Sequence, residues 1–172
     1  MTYRAPDFAV QELVPEHVYD KFGESAYRFI NPLLAITLQQ LRNRHGRILI
    51  NSYNRDRKQS GLRTAAFWER EYGYTPAKAQ AAFEEYMGIH KFGGAGDAIP
   101  LDTPLSEILE DIRQNPDFYP FLSFVEIDIS WLHIDVRNQP GITFWSPKRG
   151  IVEVIEQTPF DWEAYVPGLK KA

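Results

Sequence analysis

The sequence predicts an α+β domain in which N-terminal helices pack on a mainly antiparallel sheet. Apolar residues recur at helical spacing from Pro15 to about Arg44. From about residue 122 onward the chain reads instead as short extended segments, in which apolar and polar residues alternate. No internal repeat, low-complexity segment or shift in composition divides the 172 residues, which suits one domain over 1–172.

Residues 1–15 read as an ordered N-terminal arm, because Phe8, Val10, Leu13 and Val14 can anchor it. The helical stripe Val18, Phe22, Tyr27, Ile30, Leu33, Leu34, Ile36, Leu38 and Leu41 is interrupted by Pro32, which implies two helices, about 15–22 and 31–44. His45-Gly46 ends the second. The β-branched run 47–52 (RILINS) is a strand, and the polar, glycine-bearing 53–63 is a loop. Strong helix formers with Pro just inside the start predict a helix over 76–87. The glycine-rich stretch Gly88–Gly96 reads as a loop. Asp102-Thr103-Pro104 opens a helix with Leu105, Ile108, Leu109 and Ile112 on one stripe. Extended segments follow at about 122–128, 131–137, 142–146 and 151–156.

Composition excludes several classes of function. A hydrophobic fraction of 44%, with 4 Trp, 9 Tyr and 11 Phe, is enough for a packed core and argues against disorder. The net charge of −4, without a basic tract, argues against nucleic acid as a partner. No apolar run approaches the roughly 18 residues of a membrane helix, and no secretory signal is visible at the N-terminus. The expectation is therefore a protein that does not bind membranes and is cytoplasmic as synthesised; the sequence leaves the oligomeric state open, with a monomer expected. With no cysteine, a metal must be held by His, Asp or Glu.

Two segments carry candidate chemistry. In 131–137, Leu132, Ile134 and Val136 line one strand face, while Trp131, His133, Asp135 and Arg137 line the other. In 124–129 the same alternation puts Glu126 and Asp128 together, opposite Val125, Ile127 and Ile129. If the two strands pair through a turn centred on Ile129-Ser130, Glu126 lies across from His133, with Cβ atoms about 4.5–5.5 Å apart. Neither Ile129 nor Ser130 favours the positive φ of a two-residue turn. The other segment is Gly88–Asp97, where four glycines among ten residues permit tight turns between His90 and Asp97. Two ligands from this segment and a third from the strand would make an open catalytic zinc site. His17 and His45 lie near helix boundaries and read as surface or capping residues.

The pattern His-x-x-Gly-x-Ala-x-Asp, met by His90, Gly93, Ala95 and Asp97, resembles the first signature of the zinc D-alanyl-D-alanine carboxypeptidase family. That family includes dipeptidases and phage endolysin peptidases, and the hedgehog signalling domain is similar to it in fold. Trp131-Leu132-His133 resembles the second signature, which supplies the third ligand. Ser60-Gly61-Leu62-Arg63 resembles a Ser-Gly-x-Arg motif that follows a strand ending in Asn-Ser, here Asn51-Ser52. The motifs run in the family's order from about Arg47 to Arg137. Two positions depart from it: Gly88 replaces a serine, and Ser130 stands where the catalytic acid commonly sits.

The resemblance implies Zn2+ held by His90, Asp97 and His133, with Arg63 reaching a substrate carboxylate or bracing the site. Glu126 is then the candidate general base and Asp128 the second. Trp131 is a candidate wall of the cleft, and Asp135 a partner for His133 or Arg137. Residues 65–87 exceed the family's usual connection and form a possible lid. The implied substrate is a peptidoglycan stem peptide, cut at D-Ala-D-Ala or at L-Ala-D-Glu, by a phage-derived lytic enzyme acting at the cell wall after release. The alternative is a zinc-binding structural or binding domain, catalytically weak or inactive because Ser130 replaces the acid.

Overall fold

The computed structural model describes residues 3–51 and 59–161. The N-terminal arm is packed rather than splayed: Phe8, Val10, Leu13 and Val14 are all buried. Helix α1 (Glu16–Phe22) is followed by a 3-10 segment over Gly23–Phe29, which fills the interval between the two expected helices. Helix α2 (Pro32–His45) begins at the proline that the sequence marked as a break. Pro32 has no N–H to satisfy there, and the Asn31 side chain caps the turn by accepting from Leu33 N at 2.9 Å. The helix stops at Gly46, whose φ of 80° only glycine adopts readily.

Five α-helices accompany a six-stranded sheet among the described residues. The strands are β1 (Ile48–Leu49), β2 (Ala95–Pro100), β3 (Phe124–Glu126), β4 (Leu132–Asp135), β5 (Ile142–Ser146) and β6 (Gly150–Ile155). Their spatial order is β1-β2-β4-β3-β5-β6. Every pairing is antiparallel except β3 with β5, so the sheet is mixed. Apart from β2, each strand is shorter than or equal to the segment expected, because the ends of the alternating runs leave the ladder. The run 47–52 contributes only the two residues of β1; Ser52 and part of the expected loop, 53–58, lie outside the described residues.

The largest departure from expectation is β2. Gly94, Ala95 and Gly96 have low β propensity, so the stretch reads as a loop, yet Ala95–Pro100 pairs with both β1 and β4. Neighbouring strands on both sides supply the hydrogen bonds that intrinsic preference does not. One core face results: Leu132, Ile134, Val125, Ile142 and Phe144 are fully buried against Leu34, Leu38 and Leu41 of α2. Helix α5 (Leu105–Gln114) adds Ile108 and Ile112 to the same cluster. Burying each such side chain contributes about 1.5–3 kcal/mol.

Residues 65–87 form two short helices, α3 (Ala66–Tyr72), which the sequence did not indicate, and α4 (Pro76–Glu85). They pack on each other through aromatic edges, with Trp68 5.9 Å from Phe83 and 5.0 Å from Tyr86. No helix among the described residues is long and apolar enough to cross a membrane.

Candidate metal centre

His90, Asp97 and His133 converge, with one ligand atom from each lying within 4.8 Å of the others. Three different elements deliver them. His90 sits in a 3-10 turn over Ile89–Phe92, which closes at Gly93 with φ of 65°. A Cβ at Gly93 would stand 2.0 Å from the carbonyl oxygen of Phe29, so only glycine fits the turn that aims His90. Asp97 (β2) and His133 (β4) are direct cross-strand partners and share a face. The spacing His-x-x-Gly-x-Ala-x-Asp thus has a physical content: one turn, one glycine, then entry into a central strand.

His90 is prepared as a ligand. Its Nδ1 lies 2.8 Å from the carbonyl oxygen of Gly61. A carbonyl only accepts, so Nδ1 carries the proton and the lone pair is left on Nε2. The side chain is 3% exposed, and burial pushes its pKa down, against the pull of Asp97, so it is neutral. Nε2 is buried without a hydrogen-bond partner among the described residues, 3.5 Å from Asp97 Oδ2. An orphaned buried lone pair is costly unless something binds it, and here it points into a carboxylate and a second imidazole.

The other two ligands are bound to each other. His133 Nδ1 is 2.6 Å from Asp97 Oδ1, and both side chains are 13% exposed. Burial raises the Asp97 pKa, but His133 and His90 outweigh it and hold the carboxyl well below the usual range. Burial lowers that of His133, but Asp135 and Asp97 outweigh it and raise it to about 9. A carboxylate and two imidazoles brought this close, one of them with an unshared buried lone pair, fit a divalent ion with N and O ligands.

Arg63 braces the group. Its Nη2 donates to Asp97 Oδ2 at 2.6 Å, and its guanidinium stacks on Phe67 of α3 at 4.4 Å. The Arg63 N–H donates to the His90 carbonyl, and the Asp97 N–H to that of Ser60. The 59–63 turn is held in place by the arm: Leu62 N donates to Leu13 O, and Asn51 Nδ2 to Val14 O. Gly61 approaches so closely that a Cβ would lie 2.3 Å from Leu13 O. Among the site's parts that sequence reasoning missed, the Gly61 carbonyl was detectable only as an unexplained glycine in Ser60-Gly61.

Glu126 is directly opposite His133, in the register expected from the two alternating strands. It is half-buried, and burial followed by the Asp97 charge raises its pKa, while His133 and Arg63 lower it. It makes no hydrogen bond or ion pair among the described residues, so its carboxylate is available. Asp128 is engaged elsewhere: it accepts from Ser146 Oγ at 2.7 Å and from Arg149 at 2.9 Å. The positive φ of the turn falls on Asp128 (62°) rather than on Ile129 or Ser130, which is how a poor tight-turn sequence is accommodated.

Trp131 precedes β4 instead of beginning it; it is half-buried and its Nε1 has no partner. Asp135 pairs with Arg137 through both oxygens and stands 3.9 Å from His133 Nε2, beyond hydrogen-bond distance. Of the remaining histidines, exposed His17 meets Thr64 Oγ1 at 3.1 Å. His45 is not a surface residue: its Nε2 lies 3.0 Å from Asp111 Oδ2 and 2.9 Å from the Tyr119 hydroxyl.

Comparison of the chain with models of protein families, with curated proteins and with solved structures gives no match.

Proposed function

We propose that the chain is a zinc-dependent peptidase that hydrolyses peptidoglycan stem peptides, of the D-Ala-D-Ala carboxypeptidase or L-Ala-D-Glu endopeptidase type, with a hedgehog-like fold. The observation that carries this reading is the buried, partnerless Nε2 of His90, aimed at Asp97 and His133, with Glu126 free on the adjacent strand. The motif resemblance supplies the substrate class, and a phage-derived lytic role follows from that resemblance alone.

His90 through Nε2, Asp97 through a carboxylate oxygen and His133 through Nδ1 would hold the ion. When bound, zinc supplies Lewis-acid activation of a water and of the scissile carbonyl. Glu126 takes the proton of the attacking water on its carboxylate and passes it to the leaving amine, so the amide C–N bond breaks as the new C–O bond forms. Its upward-shifted pKa suits both halves of that transfer. Arg63 fixes Asp97 in orientation and presents guanidinium charge beside the carbonyl oxygen where negative charge develops. The contact of Phe67 in α3 with Arg63 supports the reading of residues 65–87 as a lid.

Elemental analysis of the purified protein tests the site: about one zinc per chain is expected, and none in the His90→Ala, His133→Ala double mutant. Absence of metal from the wild type after zinc is supplied would sink the peptidase reading. Ser130 favours a second reading, a metal-binding domain without hydrolysis. Digestion of purified sacculi separates the two.

A further inference from the structure

The register that assembles the metal group continues past it. Asp97 faces His133, His133 faces Glu126, Glu126 lies beside Trp145, and Trp145 faces Ile151. Partners on adjacent strands project to the same side of a sheet. These five residues therefore form one row across β2, β4, β3, β5 and β6. A second row runs beside it: Asp135, Phe124, Thr143 and Val154. Exposure rises along the first row, from 13% at His133, through half-buried Glu126 and Trp145, to 68% at Ile151. The row thus runs across the sheet face from the metal group to open solvent.

On that face lies a cavity of about 350 Å³, lined by Phe124, Arg137, Gln139, Thr143, Trp145 and Ile151. Its size is within the roughly 300–1,000 Å³ of small-molecule sites. The Phe124 ring stands edge-on to His133 at 5.9 Å and lies 6.2 Å from Trp145, tilted by 32°. The Arg137 guanidinium covers Phe124 at 3.8 Å, which makes Trp145 the open platform.

The polar groups around it define the ligand. Arg137 gives Nε and Nη2 to Asp135, so its charge is balanced and Nη1 has no partner among the described residues. Gln139 Nε2 donates to Ser123 O and Thr143 Oγ1, which leaves the Gln139 carbonyl to accept and the Thr143 hydroxyl to donate. A carboxylate finds no unbalanced cation here. A purely apolar side chain would strip water from Arg137 and Gln139 and return nothing. A pyranose ring satisfies both conditions: its C–H face covers the indole, and its hydroxyl or acetamido groups meet the three polar side chains.

We propose that this cavity is a sugar subsite, holding a pyranose of the cell-wall glycan against Trp145 while the attached peptide reaches the metal group; this rests on the peptidase reading. It also selects the bond. From His133 to Trp145 is two strand spacings, about 10 Å, or about three residue lengths of extended chain. In peptidoglycan the stem peptide joins its sugar through a short acyl link followed by L-Ala. The L-Ala-D-Glu bond falls within that reach, whereas D-Ala-D-Ala lies several residues beyond it.

The test compares a disaccharide-pentapeptide with the same pentapeptide lacking sugar, using wild type, Trp145→Ala and Trp145→Tyr. The wild type is expected to favour the sugar-bearing substrate about three- to tenfold in kcat/KM, mostly through KM, the size of one aromatic contact. The product is expected to come from cleavage after L-Ala. The preference falls to about one in Trp145→Ala and is partly kept in Trp145→Tyr. A wild type without preference, or an alanine variant that keeps it, overturns the sugar subsite and leaves the peptidase reading intact. If Trp145→Ala does not fold, Ile151→Glu at the exposed end of the row replaces it, with the same reduction expected. Titration of the free disaccharide, followed by calorimetry, separates the two claims. Binding lost in Trp145→Ala supports the subsite even if no peptide is cut, and then the peptidase reading alone fails. No binding, together with no preference, overturns the subsite.

Discussion

At the scale of the residue, the chemistry depends on which atoms are left without partners. The Gly61 carbonyl fixes the tautomer of His90, and so leaves Nε2 as the atom open to a metal ion. Glu126 and Asp128 belong to the same alternating run of sequence, yet only Glu126 is free, because Ser146 and Arg149 claim Asp128. Glu126→Gln is therefore expected to lower kcat by about a hundredfold or more, the usual worth of a positioned general base. Asp128→Asn should leave hydrolysis near the wild-type rate. Both variants should keep the wild-type metal content. Loss of activity in Asp128→Asn, with Glu126→Gln still active, would exchange the two assignments. The contrast also shows what spacing can reveal. Strand alternation placed both carboxylates on one face, but it could not show that the left-handed residue of the turn would be Asp128, which hands it to Arg149.

At the scale of the element, positions were legible where periodicity was strong and hidden where pairing overrode propensity. The stripe on α5 and the proline at the start of α2 were readable because local sequence and burial agree there. Strand β2 was not, because Gly94-Ala95-Gly96 carries no strand preference of its own and owes its conformation to β1 and β4. Trp145 escaped notice for a related reason: β5 runs parallel to β3, a non-local pairing that alternation within one strand cannot specify. The turn before β2 is a sharp test of this dependence. Gly93→Ala forces a Cβ against Phe29 O at 2.0 Å in a left-handed conformation. A loss of about 2 kcal/mol or more is expected in urea unfolding, with weakened metal binding as His90 shifts.

A second element-scale contact joins α2 to α5. Asp111 accepts from Arg44 Nη2 at 2.5 Å, Arg44 Nε at 2.9 Å, the Tyr119 hydroxyl at 2.5 Å and Asn115 at 2.9 Å. Arg44 above all holds its carboxyl well below the usual carboxylate range, and burial and Asp111 raise the Tyr119 pKa. A depressed carboxylate stabilises the fold above its unfolded pKa of about 4, and that contribution is lost as pH falls through the lower folded value. Asp111→Asn should therefore cost roughly 2–3 kcal/mol at pH 7 and much less at pH 2. Urea midpoints of both proteins at the two pH values check this. Equal differences at both would assign the effect to packing rather than charge.

At the scale of the whole molecule, the metal group works as a clasp. Its ligands come from the turn before β2, from β2 itself and from β4, and Arg63 and Gly61 tie these to the N-terminal arm through Leu13. Segments from Leu13 to His133 would thus meet around a bound ion. Without it, the buried Asp97 carboxylate is balanced by the His133 proton and Arg63, and His90 Nε2 stays unpaired. An ion that binds only the folded chain adds RT ln(1 + [L]/Kd), about 2.7 kcal/mol at a hundredfold excess over Kd. For a domain of this size that corresponds to a rise of about 5–10 °C in Tm. Thermal unfolding with zinc, and again after chelation, should show that shift, and the His90→Ala, His133→Ala protein should not. A shift of the same size in the double mutant would place the stabilising ion elsewhere. No shift in the wild type, with zinc bound, would mean that the ion binds folded and unfolded chains equally well, which three ligands so far apart in sequence do not allow unless they already meet in the unfolded ensemble.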